Sequence, residues 1–152
     1  MRSVRPWLIG GVVLVTALLA SCGGGGDGDG GGGPTPTTGV ITGRASLEVG
    51  MSGDLSNARV AIYADVEDWV DDRVLLSVAA TGQGPVANFT ISNLPPGTYY
   101  LDVWKDNDNS GAIDDFDFFG AYGSGAYPSY ELSPIIVNAG QTAEVDVDVD
   151  VI

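Results

Sequence analysis

From Val40 onward, apolar residues recur at every second position, a period that fits a pleated strand and does not fit a helix. Val145, Val147, Val149 and Val151 alternate with Asp146, Asp148 and Asp150. A strand carrying that pattern turns valines to a core and aspartates to water, and its charges keep an exposed edge from pairing with another chain. Ile41, Gly43, Ala45, Leu47 and Val49 share one face of a first strand. Inward sets follow at Val60, Ile62 and Ala64, at Val74, Leu76 and Val78, and at Ala87, Phe89 and Ile91. Tyr99, Leu101 and Val103 make a fifth, and Ile135 and Val137 a sixth. Turn formers separate them at Gly50–Asn57, Asn93–Gly97 and Asn138–Gly140. The spacing predicts an all-β domain over residues 40–152, a single antiparallel β-sandwich of about seven strands.

Three segments within that domain resemble carboxypeptidase regulatory-like domains. Gly39-Val40-Ile41-Thr42-Gly43-Arg44-Ala45 is similar to their opening strand. Phe89 to Val103, with Leu94-Pro95-Pro96-Gly97 at its centre, is similar to their F-x-I-x-x-L-P-P-G-x-Y-x-L-x-V segment. Val137-Asn138-Ala139-Gly140-Gln141-Thr142 and the valines after it resemble their last hairpin. The resemblance implies an Ig- or transthyretin-like sandwich serving as a non-catalytic accessory or surface module. The chain departs from the pattern in an acidic insert around residues 65–72 and in a long segment between Val103 and Ile135.

The N-terminal segment gives an address. Arg2 and Arg5 precede an apolar stretch from Trp7 to Ala20, which at roughly 14 residues fits a secretory signal and falls short of the ~20 needed to span a bilayer. Ordinary signal cleavage wants small residues at −1 and −3, but cutting after Ala20 or Ser21 places Leu18 or Leu19 at −3. Leu19-Ala20-Ser21-Cys22 resembles a bacterial lipobox, which implies a signal peptide over 1–21 and a covalent lipid on Cys22. Two or more acyl chains give stable anchoring at ~0.8 kcal/mol per buried methylene. Residues 22–39 then form a Gly/Pro/Thr-rich tether, because glycine has too much backbone freedom and too little side chain to fold. The expected location is extracytoplasmic, on the bacterial cell membrane or the outer membrane.

Charge and composition narrow the function. The formal charge is −14, with Lys105 the single lysine, so the chain lacks the cations that nucleic-acid binding requires. There is no histidine, which removes Ser-His-Asp and Cys-His catalysis and His-ligated zinc. Cys22 is the one cysteine, so no disulfide forms within the chain. A small hydrolase would have to use two carboxylates about 5–10 Å apart, and the expectation is that the chain is not an enzyme.

The long acidic segment reads as a twelve-residue calcium loop over 106–117. Asp106, Asp108 and Ser110 stand at positions 1, 3 and 5, and Gly111 supplies the sharp turn at 6. Ala112 offers its carbonyl at 7, Ile113 at 8 is expected to anchor the loop in the core, Asp114 stands at 9 and Asp117 at 12. Oxygen-only ligands favour Ca²⁺ over transition metals. If the strands alternate in direction, this loop and Gly50–Asn57 share one end of the domain, and Glu67–Asp72 lies at the other. Phe118, Phe119, Tyr122, Tyr127 and Tyr130 follow. Such aromatics grip a protein or stack on a glycan, and a carbohydrate-binding module is the alternative to a calcium-stabilised binding or structural module of the envelope.

Overall fold

The computed structural model describes residues 35–152. The predicted signal segment 1–21, Cys22 and the tether up to residue 34 lie outside the described residues. The fold is all-β. Its strands are β1 (Gly39–Leu47), β2 (Arg59–Tyr63), β3 (Leu76–Ala79), β4 (Thr81–Gln83), β5 (Val86–Leu94) and β6 (Gly97–Lys105). They continue with β7 (Phe118–Ala121), β8 (Gly123–Ser124), β9 (Glu131–Leu132), β10 (Ile135–Val137) and β11 (Thr142–Val151). One five-residue helix, α1 (Val66–Val70), interrupts them.

Hydrogen bonding runs continuously in the order β3-β2-β6-β7-β11-β1-β5-β4, with β10 beside β6. The two outermost strands, β3 and β4, are consecutive in the chain and separated by Ala80 alone. The sheet therefore rolls around one core into a near-barrel. Two expectations are corrected here. The sheet is not wholly antiparallel, because β1 and β11 pair in parallel from Val40↔Thr142 to Leu47↔Val149. The turn at 138–140 does not close a hairpin: β10 pairs with β6 and β11 with β1 and β7, so the turn carries the chain from one part of the sheet to another. Alternation fixes which face a residue takes and says nothing about which strand lies beside it.

The inward faces match the period-two reading over most of its length. Ile41, Ala45, Val60, Ile62, Ala87, Phe89, Ile91, Leu101, Val103, Val145, Val147 and Val149 form one buried cluster. Each large side chain there contributes roughly 1.5–3 kcal/mol by leaving water. Gly43 lets β1 approach, since a Cβ at that position would strike the Val145 carbonyl and the Phe89 ring. The reading fails at strand ends and edges. Val49 and Ala64 are exposed because they lie past the last paired residues of β1 and β2, and Leu76 and Val151 are exposed although paired, one on the outermost strand β3 and the other at the end of β11.

The outer face of β2, β6 and β7 is covered rather than wet. In-register pairs put Arg59 beside Trp104, Ala61 beside Asp102 and Trp104 beside Phe119 on that face. The 65–72 segment, expected as an insert at the far end, folds back over it as α1. The Asp65 carboxylate caps the helix by accepting from the Asp68 amide at 2.7 Å, worth about 1 kcal/mol. Glu67 and Asp68 occupy the first turn, where negative charge suits the helix dipole. Asp72, at φ 50°, turns the chain away.

Candidate functional site

β6 ends at Lys105 and β7 starts at Phe118, so the predicted calcium loop bridges two paired strands whose register is fixed from Asp102↔Ala121 to Lys105↔Phe118. The loop lies at the same end as 50–57: the Lys105 ammonium donates to the Ser56 carbonyl at 2.8 Å. Asp106, Asp108 and Asp117 come together, each offering an oxygen such that all three lie within 4.8 Å of one another. Asp117 is 1% exposed. Its Oδ1 accepts from the Asn107 amide at 2.9 Å, and its Oδ2 accepts from the Trp104 indole at 2.8 Å. Oδ2 also accepts a long bond from the Asp114 amide at 3.4 Å, so these bonds orient the carboxylate and leave Oδ1 a further lone pair.

The rest of the loop has the turn geometry that the motif requires. Gly111 sits at φ 79° and Asn109 at φ 60°, the left-handed region that glycine and asparagine tolerate best. Asp106 accepts from the Ser110 and Gly111 amides at 3.1 and 2.9 Å, and Asp108 accepts from the Ser110 amide at 2.9 Å. Asp114 is not gathered with the three carboxylates. The Ser110 hydroxyl lies 3.1 Å from both the Ala112 carbonyl and the Asp114 Oδ2, so positions 5, 7 and 9 bond to one another. Ile113 does not anchor the loop in the core as expected. It is exposed and faces Tyr127 across clefts on the outer surface.

The donor set fits a hard cation. Three carboxylates, a hydroxyl and a carbonyl are all oxygens, the ligand type of Ca²⁺. Bringing three carboxylates this close is repulsive without a counter-charge. Ca²⁺ would supply that charge, held by Asp106, Asp108 and Asp117, with Ser110, Ala112 and Asp114 in reach by rearrangement within the same loop.

The predicted aromatics divide into two groups and do not make a row. Phe118 and Tyr122 pack against the core. Phe119 is buried on the outer face, with its ring centroid 5.8 Å from those of Tyr127 and Tyr130. The Tyr130 hydroxyl donates to the Phe119 carbonyl at 3.3 Å, and burial raises its pKa. Tyr127 is the one of the five that is exposed, at 46%.

Beneath α1 lies a group that the sequence reading did not single out. Asp102 is 2% exposed on the outer face of β6. Its neighbours across both strand pairings are the small residues Ala61 and Ala121, which leave room above it. Asp102 Oδ2 accepts from the Tyr63 hydroxyl and the Trp69 indole, each at 3.0 Å. Arg59 reaches Asp102 at 4.0 Å and Asp72 at 3.5 Å, and its guanidinium stacks 5.0 Å from the Trp104 ring centre. Burial pushes the Asp102 carboxyl up to about 6, against the opposing pull of Arg59, Tyr63 and Trp69. The signal in the sequence is a lone acidic residue inside the Tyr99–Val103 alternation, which reads equally as a wet outer position. Only the return of α1 makes it buried. A scan of protein-family models, a search of curated proteins and a search of solved structures find no match for this chain.

Proposed function

We propose that the chain is an extracytoplasmic lipoprotein, anchored through lipid on Cys22, that presents a non-catalytic, calcium-stabilised β-domain as a binding or structural module of the bacterial cell envelope. The observation that carries the metal part is the convergence of Asp106, Asp108 and Asp117 across a loop whose spacing is that of a calcium site. The anchor rests on the lipobox-like Leu19–Cys22 and the glycine run behind it. The near-barrel is read here as a variant of the transthyretin-like sandwich, because the segments that resemble carboxypeptidase regulatory-like domains become β1, the β5–β6 corner and the β10–β11 connection. In that corner the Tyr99 hydroxyl donates to the Pro95 carbonyl at 2.8 Å, tying the turn to the strand after it.

Calorimetric titration of Ca²⁺ into the purified chain tests the metal reading. One site is expected, with Kd on the order of 10⁻⁴–10⁻³ M, the range of extracellular modules. Asp108→Ala, at an exposed position outside the core, abolishes the heat while leaving the far-ultraviolet circular dichroism unchanged. A wild-type chain that gives no heat refutes it.

A further inference from the structure

The outer-face cleft above Asp102 is built from parts that the metal loop does not use. It encloses about 370 Å³, at the small end of ligand sites, which span roughly 300–1,000 Å³. Trp69, Phe119 and Tyr127 wall it, with Val70, Ile113 and Pro128 completing the apolar lining. Three charged residues line it as well, Asp102 from β6, Arg59 from β2 and Asp72 just after α1. Among the described residues, Asp102 Oδ1 and Arg59 Nε are buried without a hydrogen-bond partner in the protein. Leaving a buried donor or acceptor unpaired is costly, and native proteins rarely do it.

The chemistry of the pair selects the ligand. An anion is disfavoured, since Asp102 and Asp72 face the cleft in a chain of charge −14. A cation meets Arg59, which already sits between those two carboxylates. What remains is a neutral group that donates to Oδ1 and accepts from Nε–H, and adjacent hydroxyls do both. Aromatic walls beside such a pair suit a ring with polar edges and an apolar face. We propose that this cleft binds a neutral saccharide, with Asp102 and Arg59 reading adjacent hydroxyls and Trp69 and Tyr127 packing against the sugar ring. Neither orphaned atom reaches solvent in this conformation, so the sugar enters by displacing a wall residue.

The test follows tryptophan emission, for which Trp69 is the reporter, while the full chain is titrated with glucose, galactose, mannose and N-acetylglucosamine. Tetramethylammonium and inorganic phosphate serve as the cationic and anionic comparisons. Saturation by at least one sugar is expected, weakened about tenfold or more in Asp102→Asn by loss of a charge-assisted hydrogen bond. Should Asp102→Asn fail to fold, Tyr127→Ala, which alters an exposed ring, is expected to weaken binding at least fivefold. The proposal is overturned if none of the four sugars saturates, if tetramethylammonium or phosphate saturates instead, or if affinity in the folded variants stays within twofold of wild type. The titration is run in calcium and in EGTA, and saturation in either supports the site. A chain that binds sugar but gives no calcium heat would sink the metal reading alone.

Discussion

The buried carboxyl of Asp102 gives the domain a pH dependence whose sign is opposite to that of most acidic residues. An unfolded aspartate titrates near 3.8, and burial in the fold lifts Asp102 to about 6. The folded state therefore holds this proton more tightly than the unfolded state does. Stability contributed by the group is fully present below 3.8 and is lost as pH rises through about 6. The whole span corresponds to about 3 kcal/mol, of which about 1.4 kcal/mol is gained between about pH 7.5 and pH 5. Asp54 works in the opposite direction: hydrogen bonds from Ser56 and Gly84 hold its pKa below the ordinary value. Asp102→Asn isolates the effect, since it removes the titration and leaves the other acids in place. Urea unfolding of both proteins in EGTA at the two pH values gives the difference directly. Wild type should gain about 1.4 kcal/mol on the variant as pH falls. A flat difference would refute the dominance of burial, and a difference of opposite sign would mean that the Arg59 pair outweighs it.

Other outcomes follow from contacts elsewhere. Cys22→Ala should release the protein from membranes and abolish fatty-acid labelling; labelling that persists in the variant rules out the anchor. Gly43→Ala should cost about 2 kcal/mol in thermal or urea unfolding, because its Cβ strikes the Val145 carbonyl and the Phe89 ring. Gly97→Ala, where the nearest atoms lie at 3.6 Å, should cost less than about 0.5 kcal/mol, so equal losses at the two sites would contradict the packing account. Trp104→Phe removes the indole donor to Asp117 and should destabilise the calcium-free chain by about 2 kcal/mol; an unchanged urea midpoint would show that the bond carries no weight.

Local physics was legible in the sequence and long-range pairing was not. Period two exposed the strands and most of the core, because Val145, Val147 and Val149 can hide only on one side of a pleat. The acidic loop is contiguous in sequence, and its Asp106, Asp108 and Asp117 meet in space. The parallel β1–β11 pair lay beyond local reading, because strand neighbours are chosen by the whole core. Within the loop the Ser110 hydroxyl lies 3.1 Å from Asp114 Oδ2, and the aromatics from Phe118 to Tyr130 divide between two faces of the sheet, neither of which contiguity in sequence could reveal. Asp102 escaped notice for the same reason. Its burial depends on a helix that starts from Asp65 and carries Trp69 back over β6.

Calcium at residues 106–117 is the central claim, and thermal unfolding of the chain in Ca²⁺ and in EGTA tests it most directly. At a free Ca²⁺ tenfold above Kd, linkage adds about 1.4 kcal/mol, which raises the midpoint by about 6 °C in a domain of this size. Asp106→Asn should remove that increment. A wild-type midpoint that is the same in both buffers would contradict the account.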